Sequence, residues 1–187
     1  MLRDAGIVFE VDRPEVDERV HDDLLVEQGP AALALHLAAL KADAVRGRHP
    51  GSLVLAADQV GVLEQGGRPR LLAQQPDFDG AVEQLLAMSG STHELVNGLV
   101  LIDTATGRSV SGVDVQTVTM RSFDRAAAEA YVRRFEPYES AGSYRLEDQD
   151  LMSPEDQLLE AVAGEDPSGV LGLPLPLFRR LRTGLEG

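Results

Sequence analysis

The run Leu53-Val54-Leu55-Ala56-Ala57-Asp58-Gln59-Val60-Gly61-Val62-Leu63 constrains the fold more than any other part of the chain. It is too short for a long helix, follows Pro50-Gly51 and precedes Gly66-Gly67, and so reads as a buried strand of an α/β sheet. One residue breaks the apolar pattern: Asp58, expected near the carboxyl end of that strand. Burying an ionised carboxylate costs on the order of several kcal/mol unless something pairs with it. Ligand sites in α/β sheets form at strand ends, which makes Asp58 the leading functional candidate. The plainer alternative is an acid that caps a turn or the next helix.

The composition narrows the classes. With 187 residues, 43% of them hydrophobic and only 4% aromatic, the chain is expected to form a single domain over 1–187 whose core is filled by Leu, Val and Ala. A formal net charge of −14, from 17 basic and 31 acidic residues, argues against nucleic acid as a partner. A small anionic substrate stays compatible with that charge, because a divalent cation can bridge phosphates to carboxylates. There is no cysteine, hence no disulfide, thiolate site or cysteine nucleophile. Histidines at 21, 36, 49 and 93 have no metal-site spacing. No signal peptide or membrane-length apolar run is seen, so the cytoplasm is the expected location and no membrane partner is expected. The assembly state is left open, with a homodimer kept in view.

Met1 to Gly6 reads as the last turn of a helix stopped by Gly6, followed by a short strand at Ile7 to Val11 and an acidic irregular stretch from Asp12 to Gln28. Gly29-Pro30 opens a helix with Leu33, Leu37, Leu40 and Ala44 as its stripe, and Lys41 at the stripe's edge either snorkels or meets a phosphate. Beyond the Asp58 strand, a loop through Arg68-Pro69 and Gln74-Gln75-Pro76 leads to a helix capped by Asp77 or Asp79 and ended by Gly90. Glu94 to Ile102 and Val110 to Met120 read as an antiparallel hairpin about Asp103 to Gly107, which makes the sheet mixed. Ser122 or Asp124 caps a helix from Arg125 to Phe135. Glu136 to Tyr144 reads as a loop, Gln149 to Glu155 as exposed, Leu158 to Gly164 as strand or short helix, and Asp166 to Gly169 as a turn before a final helix with Leu177, Phe178 and Leu181 inward.

No Walker A loop, G-x-G-x-x-G, G-x-S-x-G or H-E-x-x-H occurs. What remains is distributed. Val16-Asp17-Glu18, Leu37-Ala38-Ala39-Leu40-Lys41-Ala42, Ala57-Asp58-Gln59-Val60, Met88-Ser89-Gly90, Ala141-Gly142-Ser143-Tyr144 and Val170-Leu171-Gly172-Leu173-Pro174-Leu175 stand in the order and spacing of the Maf family of nucleoside triphosphate pyrophosphatases, which the chain resembles over nearly its whole length. The resemblance implies an elongated mixed α/β fold, with flanking helices and a cleft between two lobes. It also implies metal-dependent hydrolysis between the α- and β-phosphates. It casts Asp58 as the catalytic acid, Glu18 and Asp58 as ligands of Mg²⁺ or Mn²⁺, and Lys41 and Glu18 as phosphate-side groups. Such a set is chemically coherent, since positioning and charge neutralisation carry phosphoryl chemistry.

The segment Ala141 to Glu147 and the Asp58 strand look most like the branch acting on 7-methyl-GTP, which implies that Glu147 lies near the base. A carboxylate there would favour a cationic 7-methylguanine over a neutral ring. Three features depart from the family pattern: the S-x-S-P-R loop is not found, Gln74-Gln75-Pro76 stands where G-K-P is usual, and Asn97 stands where a threonine usually precedes glycine. Together they motivate a second reading, a nucleotide-binding or regulatory member with weakened or no catalysis. A third, an interaction module acting through its acidic surface, has only charge behind it.

Overall fold

Gly66-Gly67 sets where the strand that carries Asp58 ends. In the computed structural model, which describes residues 1–186, both glycines have positive φ (62° and 76°) and fold Arg68–Leu72 (β2) back antiparallel on the end of Leu53–Gln65 (β1), with Gly61 opposite Leu72 and Gln65 opposite Arg68. Two sequence readings are corrected here. The stretch from Arg68 is a strand rather than a loop, and Asp58 lies in mid-strand rather than near the carboxyl end, because pairing with β2 carries β1 on to Gln65.

The remaining elements are α1 (Asp23–Gln28), α2 (Pro30–Arg46), α3 (Phe78–Met88), β3 (Thr92–Asp103), β4 (Ser109–Met120), α4 (Arg125–Phe135), α5 (Leu146–Gln149), β5 (Leu159–Ala163) and α6 (Leu175–Glu186). The five strands form one sheet in the order β2-β1-β3-β4-β5 with helices flanking it, the mixed α/β architecture expected. Among the described residues no helix is long and apolar enough to cross a membrane. The chain divides into two compact units.

The first unit comprises Met1–Gln59, Val96–Val115 and the residues from Glu165 on. Strand periodicity explains its core: Val100 and Ile102 of β3 meet Ala38, Ala42 and Val45 of α2, while Leu99 and Leu101 meet Leu177, Phe178 and Leu185 of α6. Both faces of β3 are therefore covered, which is why Leu99 to Ile102 read as a continuous apolar run. Gly98 lets α2 come close, since a Cβ there would sit 2.4 Å from the carbonyl carbon and oxygen of Ala34.

At the start of this unit, Met1 to Ile7 makes a helix-terminating turn. Ile7 N–H donates to Leu2 O and Gly6 N–H to Arg3 O, with Gly6 at φ 73°, the pattern of a Schellman stop. Ile7 to Val11 lies in no ladder, so the expected strand is not formed; alternation of Ile7, Phe9 and Val11 specifies a strand only where a neighbouring edge is there to pair. Val8 and Val11 are left exposed. The stretch read as irregular also holds a 3-10 turn, Arg19–His21, and α1, which packs on α2 through the buried Leu25.

The second unit comprises Val60–Leu95 and Gln116–Gly164. Its helices α3 and α4 pack together, and each begins on an aspartate: Asp77 accepts from Gly80 N–H at 2.8 Å and Asp124 from Ala127 N–H at 2.9 Å. The ambiguous Leu158 to Gly164 is a strand, with Val162 opposite Val118 of β4. Gln149, read as exposed, is buried. Its side-chain oxygen accepts from Leu158 and Leu159 N–H and so fixes where β5 begins.

Candidate active site

Period two along β1 places Val54, Ala56 and Asp58 on the face that packs against α2, while Leu55 and Ala57 face the α6 side. The apolar stripe of α2 brings Lys41 to the same place. Its Nζ lies 2.5 Å from Asp58 Oδ1 and 2.8 Å from Glu18 Oε1, the latter just ahead of the Arg19–His21 turn. Exposure rises outward along the trio: the Asp58 side chain is 7% exposed, Lys41 20% and Glu18 46%. The reading of Lys41 as a snorkelling side chain is thereby replaced, since the ammonium sits between two carboxylates. Lys41 is also the only lysine in the chain, every other strong base being arginine. A compact ammonium with rotatable donors can move from carboxylate to phosphate without the planar constraint of a guanidinium.

Burial pushes the Asp58 carboxyl above the ordinary aspartate range, further than the hydrogen bond and charge of Lys41 pull it back. Burial alone would pull the Lys41 ammonium down, but its hydrogen bonds to Asp58 and Glu18 outweigh that and raise it above the ordinary lysine value of 10.5. The Lys41 direction follows from two short charged contacts and carries a consequence for stability. A group whose folded pKa exceeds its unfolded value stabilises below the unfolded pKa and loses that contribution as pH rises through the folded one. The urea midpoint of the wild-type chain should therefore fall as pH passes upward beyond about 10.5, and Lys41→Met should fall less steeply there, keeping only the share of groups such as Tyr131 and Tyr144, whose hydroxyls burial also pushes up. Identical alkaline limbs in the two proteins would show that Lys41 is not held this way.

The donor set fits a hard dication. Glu18 and Asp58 present carboxylate oxygens to one point, now taken by the ammonium, and Mg²⁺ is commonly held by one or two carboxylates with water and substrate phosphates completing its shell. Among the described residues no cluster of three or more His, Cys, Asp or Glu could hold a metal, so a dication placed here would draw on these two acids alone.

Next to Asp58 in sequence, Gln59 ties strands to a turn in the same unit. Its Nε2 donates to Asn97 Oδ1 at 3.0 Å and to the carbonyls of Gly169 and Val170 at 3.0 and 3.2 Å. Asn97, fully buried, donates in turn to Gly169 O at 2.9 Å and Asp114 Oδ2 at 3.2 Å. Asn97 thus holds the Pro167–Gly169 turn beside the strand that carries the acid. Sequence reasoning noted Asn97 only as a departure from the family pattern. The available signal was a polar residue amid Val96, Gly98 and Leu99. An apolar groove of about 610 Å³ in this unit, lined by Ile7, Phe9, Leu53, Leu55 and Phe178 among others, includes none of Glu18, Lys41 or Asp58.

Glu147 lies on α5 of the second unit and is exposed. Its neighbour Asp148 is the buried acid of that run, accepting from Tyr131 OH at 2.6 Å and Arg145 Nε at 3.1 Å and so fastening α5 to α4. Gln75 sits in a neutral amide network, donating to Gln84 Oε1 at 3.1 Å while Gln84 Nε2 donates to Ser143 Oγ at 2.9 Å. His93, buried against Tyr144 OH at 2.8 Å, is pulled down to about 4 by burial and stays neutral.

An acid buried in mid-strand, paired with a solitary lysine and a second acid, on an α/β sheet, defines a site suited to anionic phosphate chemistry. The chain belongs to the Maf family: residues 1–184 match it under the description Maf-like protein. It is 39% identical over 178 residues to a protein of Cupriavidus metallidurans named 7-methyl-GTP pyrophosphatase, covering 94% of this chain and 81% of that protein. Proteins of the same name in Alcanivorax borkumensis and Bordetella pertussis are 36% and 34% identical, over 87% and 100% of this chain and 76% and 87% of theirs.

Proposed function

We propose that this chain is a nucleoside triphosphate pyrophosphatase that cleaves the α–β phosphoanhydride of 7-methyl-GTP, giving the monophosphate and pyrophosphate. The observation that carries the reading is the Lys41 ammonium held between Asp58 and Glu18, in a family whose similar members bear that activity in their names. In the proposed reaction a water oxygen bonds to the α-phosphorus, the bond from that phosphorus to the α–β bridging oxygen breaks, and the water's proton passes to a carboxylate or to solvent. Asp58 is the catalytic residue that orients and deprotonates this water. Lys41 leaves its carboxylates to neutralise phosphate oxygens, a contact whose value grows as charge develops on the leaving group. Glu18 and Asp58 would hold Mg²⁺ or Mn²⁺, which supplies charge neutralisation and a more acidic water when bound. Glu147 is assigned to the base, where its charge favours a methylated, cationic guanine. The place of work is the cytoplasm, where nucleoside triphosphates are made and consumed.

Incubation of the purified chain with 7-methyl-GTP, UTP and dTTP and either metal tests the reading through pyrophosphate release. Release fastest from 7-methyl-GTP is the expected result. No pyrophosphate from any of the three would defeat the proposal, and thermal stabilisation by nucleotide without turnover would mark a binding protein instead.

A further inference from the structure

The histidines that sequence spacing sets apart include a pair that the fold joins. His21, in the turn Arg19–His21, and His36, on α2, lie with Nδ1 and Nε2 3.2 Å apart and with rings edge to face at 67°. Both are partly exposed and belong to the first unit. Two ligands on a tetrahedral Zn²⁺, each at 2.0–2.1 Å, are separated from one another by about 3.3 Å. The two ring nitrogens already stand at the spacing that such an ion imposes.

We propose that His21 and His36 form a two-histidine site for a borderline transition dication of the zinc class, separate from the carboxylates of Glu18 and Asp58. Imidazole nitrogen suits zinc, copper and nickel, whereas Mg²⁺ takes oxygen ligands, so the two sites sort cations by chemistry. In the resting pair one imidazole N–H donates to the other's lone pair. Metal binding requires both facing nitrogens bare, so His21 then carries its proton on Nε2 and His36 on Nδ1. The donor ring moves its proton to its far nitrogen, and none need be released. Two imidazoles are the protein's whole share, water completing the shell, and the net charge of −14 favours the approach of cations.

The site has a structural effect of its own. His21 follows Glu18 by three residues, its N–H donating to the Glu18 carbonyl at 3.2 Å, and His36 precedes Lys41 by five on α2. A bound ion would pin the segment bearing Glu18 to the helix bearing Lys41. The metal-stripped chain, titrated with zinc by calorimetry with Mg²⁺ in excess, should bind one zinc. His21→Leu and His36→Leu, each removing one of only two direct ligands, should weaken binding by more than the about 10- to 100-fold that loss of an outer-shell partner costs, and His49→Leu should leave it unchanged. Imidazole NMR of the wild-type chain gives a second reading independent of variant folding: zinc should shift the ring signals of His21 and His36 and spare those of buried His93. Equal affinity in all four proteins, no zinc binding, or unmoved His21 and His36 signals would overturn the proposal. None of these measurements depends on nucleotide hydrolysis.

Discussion

Asp58→Asn should lower pyrophosphate release by at least about 10²-fold, the scale on which one preorganised electrostatic contact acts, without lowering the thermal midpoint at pH 7. The two halves rest on the same burial. Because Asp58's folded pKa is raised, the stability linked to its protonation is present below 3.8 and lost as pH rises through the folded value. At neutral pH the ionised group is therefore a net cost, and a neutral amide of the same shape avoids it. Removing one partner of a buried ion pair usually destabilises by leaving the other charge alone. Here Lys41 keeps Glu18 at 2.8 Å and some solvent, so that penalty is largely avoided. A variant that hydrolyses at the wild-type rate would remove Asp58 from the chemistry. A variant that melts well below wild type would show the carboxylate to be a structural tie.

Gly98→Ala should damage stability more than any surface change and take activity with it. The new methyl would lie 2.4 Å from the Ala34 carbonyl carbon and oxygen and 2.6 Å from Leu35 N, whereas ordinary contacts begin near 3.4 Å. These are backbone atoms, so no rotamer change relieves the clash, and α2 must retreat from β3 by about 1 Å, at about 3 kcal/mol, the upper part of the overpacking range. Lys41 rides on α2, and a misplacement of about 1 Å can cost on the order of 10²-fold in rate. Urea denaturation and the pyrophosphate assay read the two effects separately. A wild-type urea midpoint would mean that the helix yields at no cost.

Much of the architecture is legible in local chemistry. Asp77 and Asp124 announce α3 and α4 because a carboxylate can accept the first free N–H groups of a helix, and Gly29-Pro30 announces α2 because proline tolerates the first turn. The hairpin of β3 and β4 follows from alternation around turn formers. What escapes is what depends on partners distant in sequence. Ile7 to Val11 has a strand's pattern without a strand's neighbour, and Asp58 moved to mid-strand because β2 lengthened β1. Asp58 stood out as a charge in an apolar run, but that a lysine 17 residues away would hold it was not readable from spacing. The same holds for His21 and His36, 15 residues apart. Asn97 could be seen as polar in an apolar strand, but not that it reaches Gly169, 72 residues on.

The unpaired segment near the start has a colloidal consequence. Val8 is 99% exposed and Val11 79%, with Phe9 and Leu53 also partly bare, a surface that invites molecules to stick together. What opposes this is mutual repulsion between copies that each carry a charge of −14, felt only over a screening length of about 10 Å at 0.1 M ionic strength and about 3 Å at 1 M. Added electrolyte therefore weakens the barrier while leaving the attraction, and this acidic chain stays dispersed best in dilute buffer.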